Sequence, residues 1–130
     1  MAAQLIDTSV LIEVERGALP VEPLAAGDKA ISVISVSELL HGVHRTTQDA
    51  RRIRRRAVIE QILDAVEQIA IDSRVARLHA DIWAQLEVAG EMIDAHDLWI
   101  AATALAHGLE LATLNRRHFE RVPGLTLLEM

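Results

Sequence analysis

The chain has no cysteine and no tyrosine, one phenylalanine, two tryptophans and a single lysine, Lys29, among its 130 residues. Without thiols there is no disulfide frame, no Cys-ligated zinc and no thiol nucleophile. Hydrophobic residues still make up 51% of the chain while aromatics make up 2%, so a core has to be assembled from Ala, Leu, Ile and Val, and a disordered chain is excluded. The longest apolar stretch, Leu98 to Ala106 broken only by Thr103, is far too short to cross a bilayer. The opening Met-Ala-Ala-Gln-Leu-Ile-Asp lacks the basic and apolar regions of a secretion signal. The expectation is one soluble, cytoplasmic domain over residues 1–130.

Positive charge is also scarce, with 13 basic residues against 19 acidic ones and a net charge of −6. That balance excludes a protein that holds nucleic acid by bulk charge alone. Six arginines nevertheless fall between Arg45 and Arg56 with Asp49 as the only acid among them. An acidic body thus carries one basic strip, readable either as a solvated helix face or as a phosphate or partner contact.

The apolar run Gln4-Leu5-Ile6 ends at Asp7, after which Val10, Leu11 and Val14 take up helical spacing as far as Gly17. A β-branched run, Ala30 to Ile34, predicts a second strand, with Ser35 or Ser37 capping the helix after it. Another helix follows from about Asp49 to Val66, and Gln68 to Ile71 is a third strand candidate. The spacing Val75, Leu78, Ile82, Leu86 predicts a long amphipathic helix ending near Gly90. A helix from Asp94 to His107, a fourth strand from Glu110 to Leu114 and a short last strand near Leu125 to Leu128 complete the pattern. Strands alternating with helices predict an α/β protein: a three-layer α/β/α sandwich around a mostly parallel sheet of four to five strands.

In open parallel sheets, ligands bind outside the carboxyl ends of the strands. Asp7 directly follows strand one, Glu38 is expected in the first turn of the helix after strand two, and Asn115 follows strand four. Asp94 and Asp97 open a helix that is apolar on nearly all sides, so these acids sit close to the core. Buried carboxylates without cations are costly, and a hard divalent ion, Mg²⁺ or Mn²⁺, would resolve the conflict. Asp94 and Glu38 are equally readable as ordinary helix-start acids, whereas Asp7 with Thr8 and Ser9 makes a metal or phosphate site. None of the six histidines forms a helical His-x-x-x-His pair, and most read as surface or capping residues.

Four segments carry a resemblance. They are Leu5-Ile6-Asp7-Thr8-Ser9-Val10-Leu11-Ile12, Ser35-Val36-Ser37-Glu38-Leu39-Leu40-His41-Gly42, Asp94-Ala95-His96-Asp97-Leu98-Trp99-Ile100-Ala101-Ala102-Thr103-Ala104 and Leu111-Ala112-Thr113-Leu114-Asn115-Arg116-Arg117-His118-Phe119. In this order they resemble the PIN-domain nucleases, most of all the VapC-type toxins of bacterial toxin–antitoxin pairs. The resemblance implies a Mg²⁺- or Mn²⁺-dependent ribonuclease with Asp7, Glu38 and Asp97 as the core acids. Asp94 would be a supporting ligand, and Thr8, Ser9 and Thr113 would support the pocket. Many members carry Asp where this chain has Asn115, which removes one charge and bears on whether a second ion is held. Arg116, Arg117 and His118, with Arg54, Arg55 and Arg56 of the strip, are candidates to touch RNA or a partner. The implied partners are an RNA substrate, a small VapB-like antitoxin and a second copy of the chain in a homodimer. The rival is a catalytically weak PIN fold that acts through partner binding alone.

Overall fold

The computed structural model describes residues 2–128. Four short strands, β1 (Gln4–Ile6), β2 (Lys29–Ser32), β3 (Glu67–Ile69) and β4 (Glu110–Ala112), pair in the order β3-β2-β1-β4, every neighbour parallel. Six helices connect and cover them: α1 (Thr8–Glu15), α2 (Val33–His44), α3 (Asp49–Ala65), α4 (Ser73–Ala89), α5 (Ala95–Ala106) and α6 (Arg116–Phe119).

Apolar residues of β1, β2 and β4 are buried on both faces of the sheet, while each of the four strands opens on a polar residue, Gln4, Lys29, Glu67 or Glu110. Leu5, Ala30 and Leu111 point into one layer with Val75, Ile82 and Leu86 of α4 and Leu98, Ile100 and Ala101 of α5. Ile6, Ile31 and Ala112 point the other way, onto Val10, Leu11 and Val14 of α1, Leu39 and Val43 of α2, and Ile59 and Ile62 of α3. The three-layer α/β/α architecture follows from this alternation.

Several boundaries differ from the sequence expectation. Ser32, not Ser35 or Ser37, caps α2, its hydroxyl accepting from Ile34 N at 3.1 Å, so β2 ends at Ser32 and Glu38 lies in the second helical turn. Ser35 is buried beside Thr8 instead, 2.8 Å between their hydroxyl oxygens. The third strand starts and ends earlier than Gln68 to Ile71 because Glu67 and Ile69 pair with Ala30 and Ser32. Leu125 to Leu128 does not form a strand; a single parallel bridge joins Leu127 to Leu111, with Leu128 N donating to Leu111 O at 2.8 Å. The end of α4 and the start of α5 are as the sequence predicts: Gly90 closes α4 at φ 67° and Asp94 accepts from His96 N, while α4 is capped by Asp72, which accepts from Val75 N.

His79 corrects the reading of histidines as surface groups. It is buried on α4, its ring stacked on Trp99 of α5 at 3.6 Å between centroids and edge-on to Trp83 at 5.8 Å. Burial lowers its pKa, which favours the neutral ring there. No helix among the described residues is long and apolar enough to cross a membrane.

Candidate active site

The topology brings the ends of β1 and β4 side by side, and the next residues of each chain segment meet there. Asp7, the N-cap of α1, is 3% exposed. Its Oδ2 accepts from Ser9 Oγ at 2.6 Å and from Thr113 Oγ1 at 2.8 Å. Both hydroxyls are oriented by backbone: Leu114 N donates to Ser9 Oγ at 3.1 Å and Asn115 N to Thr113 Oγ1 at 2.9 Å. Each hydroxyl therefore has its own proton directed at the carboxylate. Asp7 Oδ1 is buried and has no hydrogen-bond partner among the described residues. An orphaned carboxylate oxygen in a protein interior is costly, and a cation ligated there would satisfy it.

Asp97 lies in the first turn of α5, where the helix dipole favours an anion. Its pKa is nonetheless raised from 3.8 to about 6, first by burial and next by the charge of Asp7, with smaller contributions from Asp94 and Glu38. His118 opposes the rise, its Nδ1 standing 3.5 Å from Asp97 Oδ2. The same nitrogen is 2.8 Å from Asn115 Nδ2. One nitrogen cannot serve both at once: with its lone pair it accepts from the Asn115 amide, and with a proton it donates to Asp97.

Glu38 is half-buried and engaged elsewhere: Thr8 Oγ1 donates to its Oε1 at 2.7 Å, and His96 Nδ1 lies 3.4 Å from its Oε2. The expected gathering of three acids is therefore looser than the sequence reading implied. Among the described residues no three carboxylate or imidazole groups converge into a ready-made metal cage. Like charges repel, and Thr8 and His96 satisfy Glu38 away from Asp7. The donor set still fits a hard ion that takes one or two carboxylates and completes its shell with water. Asp94 is exposed, and its carboxylate caps α5 through His96 N at 3.0 Å.

Residues that sequence reasoning missed are Ser35 and His96. In the sequence Ser35 reads as a helix cap rather than a site residue, and His96 lies between Asp94 and Asp97, whose carboxylates are the stronger signal. Of the residues after Asn115, Arg116 turns to Leu128 O at 3.0 Å, and Arg117 is exposed. The basic strip divides. Arg52 pairs with Asp49 and Arg56 with Glu60, and Arg54 is exposed. Arg55 turns inward, its Nε 2.7 Å from Glu15 Oε1 and its Nη1 donating to Gly42 O at 2.9 Å and Thr46 Oγ1 at 2.7 Å.

Residues 5–125 match the PIN domain family model. The chain belongs to the PIN domain family. Among PIN proteins it is 36% identical over 125 residues to ribonuclease VapC1 of Rickettsia felis, covering 95% of this chain and 93% of that one. It is 34% identical over 112 residues to ribonuclease VapC5 of Mycobacterium tuberculosis, covering 86% and 82%. The PIN fold is shared with the structure of DNA-bound VapBC from Salmonella typhimurium, at a TM-score of 0.88, 27% identity and 98% coverage of both chains. The VapBC2 structure from Rickettsia felis, bound to a promoter DNA fragment, also gives 0.88, at 25% identity and 98% coverage of both.

Proposed function

We propose that this PIN domain is a VapC-type toxin: a divalent-metal-dependent endoribonuclease that hydrolyses RNA phosphodiester bonds and is silenced by a small VapB-like antitoxin. The observation that carries the metal-dependent part is the buried, unpartnered Asp7 Oδ1 beside an Asp97 whose ionisation is resisted by burial and by Asp7. Asp7, Glu38 and Asp97 would hold Mg²⁺ or Mn²⁺, with Asp94 lending charge from the helix cap. When bound, such an ion acidifies water and offsets the charge of the phosphodiester.

The chain's own residues prepare for this. Ser9 and Thr113 fix one oxygen of Asp7 and leave the other open. Thr8 sets the rotamer of Glu38. The Asp97 side chain is only 16% exposed, so its carboxylate is largely withdrawn from bulk water. Asn115 positions His118 against Asp97, and exposed Arg117 beside it is placed to meet RNA. An acidic pocket of this kind would equally accept an arginine or lysine of the antitoxin in place of the ion. The same reading includes a homodimer in the cytoplasm; light scattering of the purified chain tests the dimer.

The deciding experiment is cleavage of a mixed single-stranded and structured RNA pool with Mg²⁺, with Mn²⁺ and with chelator, beside an identically prepared Asp7→Asn variant. Metal-dependent cutting that the variant loses is the expected result. Cutting at the wild-type rate by the variant would refute the assignment of Asp7, and no cutting under any metal would refute the enzyme.

A further inference from the structure

Beyond the acids, two cavities run end to end along α2. One, of about 530 Å³, is lined by Thr8, Glu38, His96 and His41. The next, of about 420 Å³, is lined by Thr46, Thr47, Gln48, Arg51 and Arg55. Gly42 and Arg45 line both, so the two form one trough. Exposed Ser37, His41 and Arg45 recur every four residues along this face of α2. The trough begins at Glu38, one of the three acids, and ends among arginines.

Its basic end has a fixed frame and two loose charges. Gly42 has no Cβ, and one added there would come within 3.1 Å of Arg55 Nη2, so the glycine lets that guanidinium lie against α2. Arg55 is spent on Glu15, Gly42 and Thr46. Arg45 and Arg51 are exposed and make no side-chain hydrogen bond or ion pair among the described residues. Glu38 and Arg45 are seven residues apart on one helix, roughly 10 Å at 1.5 Å per residue, about the rise of three stacked nucleotides at 3.4 Å each.

We propose that this trough is the track for the RNA strand, Arg45 and Arg51 holding backbone phosphates a few nucleotides away from the one at the acids. The inference rests on the nuclease reading for its acidic end. The lining has no Phe, Tyr or Trp, and its two rings, His41 and His96, lie at the Glu38 end, so the contacts at the basic end are to phosphate and sugar. A docking peptide would want apolar anchors, and Ile12 is the only large aliphatic side chain along it. Repeating phosphates meet unpaired guanidinium groups better.

The test is binding of a short, labelled, mixed-sequence single-stranded RNA to full-length wild type, Arg45→Gln, Arg51→Gln and the double variant over a range of salt. Chelator is present to keep the probe whole. The slope of log Kd against log salt should fall by about 0.7 for each arginine and about 1.4 for both. Arg77→Gln, on α4 across the sheet, removes the same charge and should leave the slope alone. Circular dichroism confirms the folds, which both exposed positions should tolerate. An unchanged slope in the double variant overturns the proposal, as does an equal loss in Arg77→Gln. An unchanged slope with lost binding of a glutamate-rich peptide would give the trough to a protein partner instead. Failure of wild type to cut RNA in Mg²⁺ sinks the nuclease reading separately, and a fallen slope would then still place RNA on this surface.

Discussion

Thr113 Oγ1 donates to Asp7 Oδ2 at 2.8 Å, joining two residues 106 positions apart in the chain. The bond ties the carboxyl end of β4 to that of β1, and the same oxygen accepts from Asn115 N. Thr113 therefore fixes both the carboxylate and the turn that carries Asn115 and His118.

Thr113→Val should remove the donor and the acceptor together while keeping shape. Stability should fall by about 1–3 kcal/mol, the cost of leaving buried polar partners unmade, and RNA cleavage should fall at least tenfold. Thr113→Ser should restore most of both. Urea unfolding at neutral pH beside the cleavage assay checks this; a Val variant equal to wild type in both would remove Thr113 from the site.

The raised pKa of Asp97 makes the metal-free protein sensitive to pH in a defined direction. Its folded value, about 6, lies above the ordinary 3.8, so the folded state holds the proton more tightly. The protonated carboxyl's contribution to stability is fully present below about 4 and is lost as pH rises through 6. Allowing for partial exposure, the effect is on the order of 1–2 kcal/mol. In chelator, Asp97→Asn should melt a few degrees above wild type at pH 7, and the gap should close towards pH 4. Added Mg²⁺ should raise the wild type and not the variant. Melting curves that coincide at every pH would contradict this.

His118 is the one neighbour that lowers the pKa of Asp97. His118→Ala should therefore raise that pKa further and move the acid limb of the pH–rate profile to higher pH. An unmoved acid limb would mean that the 3.5 Å contact has no part in the titration.

Arg55→Ala should destabilise the fold, because Glu15, whose side chain is 8% exposed, would be left with its charge buried and unpaired. A loss of about 2–4 kcal/mol is expected, Arg55 itself being partly exposed. Arg55→Lys should recover only part, since an ammonium cannot span Glu15, Gly42 O and Thr46 with the same planar fork. Chemical denaturation measures both; a neutral Ala variant would show Arg55 to be surface charge.

Much of this fold was legible because its signals are local. The cap Asp94, the stop at Gly90, the stripe from Val75 to Leu86 and the acids at strand ends are each set by neighbours within a turn or two. Ser32 was passed over because it lies inside a β-branched run, where hydrophobic pattern outweighs a single hydroxyl. Leu125 to Leu128 looked like a strand by composition, but only Leu127 reaches register with Leu111. The pairing of Thr8 with Glu38 and the inward turn of Arg55 depend on helices packing across the molecule, which no spacing records. His79 was read from its type, and its burial is decided by Trp99, twenty residues further on.

That stack has an optical consequence. Only two indoles are present, and Trp99 stands on α5, two residues beyond Asp97, with an imidazole lying flat against it at 3.6 Å. Trp83 is 47% exposed and should emit as a partly wetted indole, whereas the emission of Trp99 should depend on contact with His79. Protonating or separating that ring should change the quenching of Trp99, on which it is stacked, more than that of Trp83, which meets only its edge. The protein thus carries its own fluorescent reporter on the helix that presents Asp97, readable without any label.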